Sequence, residues 1–207
     1  LVLEAMKAKG LSADASWHLG LSLGEYSALY GAGAMSFSDV MKALVVRGKA
    51  MQDACEQVKS GMVSVLGLDE EQIAAVCDQA RQGGVLQAAN FNSPGQIVVS
   101  GDLEALDRSL PLFKEAGARR ALPLKVAGAF HSPLMAPAQD ALRKVLESCE
   151  INDHCAKVIS NVTAKPHDPA VVVDALVGQI TAPVRWSQSI ESLIDSEGVT
   201  MFCEWGT

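Results

Sequence analysis

GMVSVLGLDEEQIAAVCDQARQGGVLQAANFNSPGQIVVSGDLEALDRSLPLFKEAGARRALPLKV, residues 61–126, switches repeatedly between strand-like and helix-like apolar spacing. Residues 61–68 form a short apolar run that reads as a strand. From Asp69 to Gln82, Ile73, Val76 and Cys77 recur at helical spacing. Residues 85–90 read as a strand, Asn92, Pro94 and Gly95 as a turn, and 96–101 as the next strand. Asp102 is an N-cap for a helix to about Ala116, Gly117 stops it, and 118–126 is a last strand. The order β-α-β-β-α-β is the ferredoxin-like pattern. We therefore expect a ferredoxin-like subdomain over residues 59–126, inserted into a larger fold.

Working outward, residues 1–10 read as a helix stopped by Gly10, with a turn beyond it. Residues 17–20 read as a short buried strand, Glu25 to about Tyr30 as a helix, and Ser36 as the N-cap of a helix to about Gln57. Downstream, helices are expected over 136–150, within 168–180 and over 187–195, with strands at 157–161 and 199–205. Strands separated by helices imply a parallel sheet. The expected fold class is α/β, a hydrolase-like parallel-sheet core over residues 1–58 and 127–207 with the inserted subdomain between.

The 207 residues are 49% hydrophobic and 20% charged, which is globular composition with no apolar run long enough to span a membrane. A net charge of −7 argues against nucleic acid or an anionic membrane as partner. Cys55, Cys77, Cys149, Cys155 and Cys203 are odd in number and form no CxxC pair, so a reducing cytoplasmic setting fits better than a disulfide scaffold. His154 beside Cys155 lacks further ligands at zinc spacing; no metal and no cofactor are expected. The chain opens on Leu1 and stops at Thr207, which reads as a piece of a longer protein.

Gly20-Leu21-Ser22-Leu23-Gly24 matches GxSxG. A nucleophilic serine has to stand on a tight strand-to-helix turn, and flanking glycines remove side chains that would collide there. The residue after it, Leu23, can turn its backbone N–H to an oxyanion at the positive end of the following helix. By itself the motif is weak, and a glycine-rich turn with an idle serine stays open. Among four histidines, His18 lies in the entering strand, and His154 and His167 lie in polar loop-like stretches. His131 follows a strand, where active-site residues of open sheets gather; it is either a base for Ser22 or a satisfied loop histidine. No acidic third member stands out, and a backbone carbonyl accepting from Nδ1 can orient the ring instead. Arg47, read alone, is a solvated helix residue. Lys114, Arg119, Arg120 and Lys125 form the densest basic cluster, either a docking patch or an ordinary solvated face.

GLSLGEYSAL, VVRGKAMQ, ANFNSPGQIVVSG, GAFHSPLM, SNVTAKP and QITAPVRW occur in the order and approximate spacing of the malonyl-CoA:acyl-carrier-protein transacylase family, which the chain resembles along essentially its whole length. Acyltransferase domains of polyketide synthases are close relatives. The resemblance implies a malonyl-serine intermediate and transfer to the phosphopantetheine thiol of acyl carrier protein in fatty-acid biosynthesis. Malonyl-CoA and a transient carrier protein are the implied partners. Ser22 resembles the family nucleophile, His131 its base, and Arg47 the arginine that clamps the malonyl carboxylate. Gln179 resembles the position whose carbonyl orients the histidine, and Phe130 resembles malonyl-selective members. Leu21 departs from the family's usual histidine. The family's N-terminal Gly-Gln-rich segment, which holds the other oxyanion donor, is not in this chain, and the similarity ends inside a late Glu-x-Gly-x-Gly loop. An α/β-hydrolase esterase would share GxSxG but would need an acid between serine and histidine and would have no use for Arg47. A carrier-binding module without activity is the other competitor.

Overall fold

The computed structural model describes residues 2–10 and 15–205. Its elements in chain order are α1 (Val2–Ala8), α2 (Gly24–Gly31), α3 (Phe37–Cys55), β1 (Ser60–Leu66), α4 (Glu70–Arg81), β2 (Leu86–Ser93), β3 (Gln96–Asp102), α5 (Leu103–Glu115), β4 (Arg120–Pro123), a 3-10 segment (Pro133–Ala138), α6 (Gln139–Glu147), a second 3-10 segment (Asp153–Lys157), α7 (Val172–Gly178) and α8 (Trp186–Asp195). Leu1 and the turn expected over 11–14 lie outside the described residues.

The four strands make one antiparallel sheet in the order β2-β3-β1-β4, with Val63 opposite both Val99 and Pro123. Strand alternation divides the apolar residues between its faces. Val63, Val65 and Val99 pack with Ile73, Val76, Ala80, Leu106 and Phe113 of α4 and α5. Met62 and Val98 point the other way and, with Ala89, bury against Phe130, the residue before His131. The small sheet is thus also a wall of the site. Both of its helices start where the side-chain chemistry dictates. Asp69 and Gln72 form a reciprocal capping box on α4, and Asp102 Oδ1 accepts from Ala105 N at 2.8 Å on α5.

A second apolar cluster joins α2, α3, α6, α7 and the first 3-10 segment through Tyr26, Leu29, Ala43, Met51, Met135, Leu142, Leu146, Leu176 and Ile180. The flanking strands are shorter than expected. The segment at 17–20 meets 157–161 through one parallel bridge, His18 to Val158, held by His18 N→Lys157 O at 2.8 Å and Ile159 N→His18 O at 3.0 Å. The ladder stops there because each chain turns at once, one into the Ser22 elbow and the other into a hairpin bridging Ile159 to Pro166. A further parallel bridge links Asn90 to Val184. The strand expected at 199–205 is not formed: Met201, Phe202 and Trp205 are exposed and no ladder pairs this segment among the described residues. The helix expected from 136 starts as 3-10, because Pro137 has no N–H to offer an α-helical ladder. No helix among the described residues is long and apolar enough to cross a membrane.

Candidate active site

Ser22 sits between the His18 bridge and α2 with φ of 52°, in the left-handed region that a non-glycine residue occupies only when its surroundings compel it. Asn161 supplies the compulsion. Its Oδ1 accepts from Ser22 N at 2.6 Å and its Nδ2 donates to Gly20 O at 2.9 Å, so one side-chain amide pins both sides of the turn. The turn is tight enough that a Cβ on Gly20 would lie 2.1 Å from the Gly24 carbonyl. Gly24 differs from the expectation of two obligatory glycines. A Cβ there meets nothing within 4 Å, because Gly24 is already the first residue of α2 and its side-chain direction is open.

His131, 3% exposed and also left-handed with φ of 58°, brings Nε2 to 2.8 Å from Ser22 Oγ. Its Nδ1 lies 2.8 Å from the backbone carbonyl of Gln179 at the C-terminus of α7. A carbonyl can only accept, so Nδ1 carries the hydrogen and Nε2 is free to accept from the serine hydroxyl. The orienting group is a backbone carbonyl, where an esterase triad would place a carboxylate. The backbone of His131 is held in turn by Gln87 of β2, whose Nε2 donates to His131 O at 2.9 Å and to Thr181 O at 3.2 Å. Burial pushes the His131 pKa down to about 4; the Gln179 carbonyl opposes that shift and the nearby Arg47 cation adds to it. The imidazole is therefore neutral, and able to take a proton, throughout the neutral range.

Arg47, from the middle of α3, is 6% exposed rather than solvated. Its Nη2 donates to Ser22 Oγ at 2.8 Å and to Gln179 Oε1 at 3.1 Å, and the guanidinium stands 5.8 Å from the Tyr26 ring centroid. Nε has no partner, and among the described residues no carboxylate forms a salt bridge with Arg47. Desolvation lowers its pKa, with Tyr26 and Glu25 opposing. A buried cation beside the Ser22 hydroxyl, with no carboxylate in direct contact among the described residues, has the chemistry to receive an anionic group. Leu23, at the cap of α2, has no acceptor for its N–H among the described residues.

The structure thus brings Ser22, His131, Arg47, Gln179 and Leu23 to one place. The family described as Acyl transferase domain matches residues 2–204. The chain belongs to this acyl transferase domain family. It is 44% identical over 207 residues to the malonyl CoA-acyl carrier protein transacylase of Bacillus subtilis, covering 99% of this chain and 64% of that protein. A solved acyl carrier protein S-malonyltransferase from Vibrio cholerae superposes with a TM-score of 0.86 at 41% identity, covering 96% of this chain and 64% of that one. A malonyl-transacylase solved in complex with a type II PKS acyl-carrier protein superposes at 0.87 with 40% identity, covering 96% and 64%. This acyl transferase domain therefore spans just under two thirds of the length of those relatives.

Sequence reasoning placed His167 in a polar loop; it is buried, with Nε2 2.7 Å from Glu25 Oε1. It also passed over Asn161, Gln87, Glu25 and the side chain of Gln179. Asn161 and Glu25 stood inside the family-like stretches SNVTAKP and GLSLGEYSAL, but nothing in the spacing links Asn161 to Ser22 or Glu25 to His167. His18 and His154 lie apart from the site, His18 half-buried with its pKa lowered by burial and by Lys157.

The two glycines of the elbow should behave differently. Gly20→Ala should reduce acylation of Ser22 by about 100-fold or more, since displacing the nucleophile by an ångström is sufficient for that. Gly24→Ala should retain acylation and raise stability by up to about 1 kcal/mol in urea unfolding. The second expectation concerns pH. Acylation at subsaturating donor reports the base of the free protein, so its rate should stay level from pH 8 to roughly pH 5 and fall only as His131 protonates. A stopped-flow profile with its midpoint near 6.5 would assign the base elsewhere.

Proposed function

We propose that the protein containing this chain transfers a malonyl group from malonyl-CoA to the phosphopantetheine thiol of acyl carrier protein, by a ping-pong route through a malonyl-serine at Ser22. The observation that carries the reading is the buried Arg47 guanidinium, without a carboxylate partner, within hydrogen-bond distance of the nucleophile. His131 takes the Ser22 proton as Oγ attacks the thioester carbonyl, and Leu23 N–H faces the developing oxyanion. Collapse breaks the C–S bond, and the proton held by His131 goes to the departing CoA sulfur. Arg47 releases Ser22 Oγ and takes the malonyl carboxylate in a two-pronged contact, which lysine's point charge would not reproduce. The carrier thiol then attacks the ester with His131 again as base, and Ser22 recovers its proton. No cofactor or metal enters these steps. The family resemblance supports fatty-acid biosynthesis as the setting, and the odd cysteine count without a CxxC pair fits a reducing cytoplasm.

The chain is read as two units, a hydrolase-like catalytic core over 1–58 and 127–207 and a ferredoxin-like subdomain over 59–126. The separate apolar clusters and the β2-β3-β1-β4 order support that division. Lys114, Arg119, Arg120 and Lys125 are exposed on the subdomain next to the apolar Leu122, Leu124 and Val126, and contribute to docking of an acidic carrier.

Intact-mass analysis of the full-length protein mixed with malonyl-CoA should show a malonyl adduct that Ser22→Ala abolishes and Arg47→Ala weakens roughly 30-fold or more. Acetyl-CoA should label wild type poorly; equal labelling by both donors would remove Arg47 from its role. Reversing the charges of Arg119 and Arg120 should raise the carrier KM severalfold and leave malonyl-serine formation intact. An unchanged carrier KM would exclude the patch from docking.

A further inference from the structure

The route above uses the backbone carbonyl of Gln179. Its side chain, and a buried carboxylate behind it, have no part in that chemistry. Glu25 lies in the first turn of α2 and is 1% exposed. Its Oε1 accepts from Asn161 N at 3.2 Å and meets His167 Nε2 at 2.7 Å, and its Oε2 accepts from Gln179 Nε2. Gln179, fully buried, also donates from Nε2 to Ser22 O at 2.9 Å and accepts at Oε1 from Arg47.

The polarity of this chain of bonds has one solution. A guanidinium only donates and a backbone carbonyl only accepts. Gln179 must therefore show its oxygen to Arg47 and its nitrogen to Ser22, and the second hydrogen of that nitrogen needs an acceptor. The Glu25 carboxylate is that acceptor. Turned over, the amide would set donor against donor at Arg47 and acceptor against acceptor at Ser22, in a buried site where unmet polar groups are costly. Through Asn161 N, the same carboxylate also steadies the loop whose side chain clamps the Ser22 turn.

We propose that Glu25 is a positioning residue that locks the Gln179 amide in the orientation aiming Arg47 at the acyl pocket, with His167 holding Glu25 in register. The role rests on the transacylase reading above and deepens it: Glu25 serves donor selectivity without touching the donor.

The test compares acylation by malonyl-CoA and by acetyl-CoA in full-length wild type, Glu25→Gln and His167→Phe, followed by intact mass. Glu25→Gln keeps size and shape but places an amide nitrogen where only acceptors fit. It should fold as wild type by circular dichroism and lose about tenfold in malonylation rate. Acetylation should fall less, so the preference for malonyl narrows. His167→Phe keeps an aromatic ring, somewhat larger than imidazole, and removes Nε2; it should narrow the preference in the same direction and carries the test if Glu25→Gln does not fold. Equal losses on both donors would show mere structural support and overturn the proposal, as would an unchanged preference. A wild type that accepts no malonyl group would instead overturn the transacylase reading itself.

Discussion

The site depends on Gln179, a fully buried residue at the end of a short helix; its carbonyl and side chain bond to four residues outside that helix. Its backbone carbonyl sets the tautomer of His131, and its side-chain amide meets Ser22, Arg47 and Glu25. Donor and acceptor assignments around it are determined by groups that cannot change role, two backbone carbonyls and a guanidinium, and the Glu25 carboxylate accepts the remaining amide hydrogen. A network so constrained has one arrangement of low energy, and that arrangement leaves His131 Nε2 free to accept and Arg47 without a negative partner.

Such a site is costly in isolation. A desolvated cation with no carboxylate in direct contact, and Ser22 and His131 at positive φ, are local strains that the surrounding structure must over-determine. The over-determination is visible. Asn161 clamps the Ser22 turn from both sides, Gln87 grips the backbone of His131, and the second face of the small sheet buries Phe130 next to it. Each support comes from a distant part of the chain, so Ser22 and His131 meet only when the tertiary fold is assembled. The low pKa of His131 is a consequence of the same burial, and it keeps the imidazole neutral beside a cation.

The βαββαβ order was legible from residues alone because those elements are local in origin: period-2 and period-3.6 spacing, the Asp102 N-cap, a Pro-Gly turn. The elbow was legible as a motif, although only Gly20 of its two glycines is sterically required. The flanking strands were overread. An apolar run such as 199–205 has strand composition, but a strand exists only where a neighbour offers a ladder, and composition cannot reveal the neighbour.

Sequence by itself determined the chemistry of the parts: a serine on a turn, a histidine after a strand, an arginine on a helix, and a family pattern that implies roles for them. What only tertiary structure decided was their environment. Arg47 looks like any solvated helix arginine until its guanidinium is enclosed beside Ser22, Tyr26 and Gln179 and loses water. Glu25, His167 and Asn161 look like ordinary polar residues until 142 positions of chain separate the Glu25 and His167 that end 2.7 Å apart. Hydrogen bonds between residues so distant in sequence leave no periodicity, because their geometry is set by packing and not by the repeat of any helix or strand.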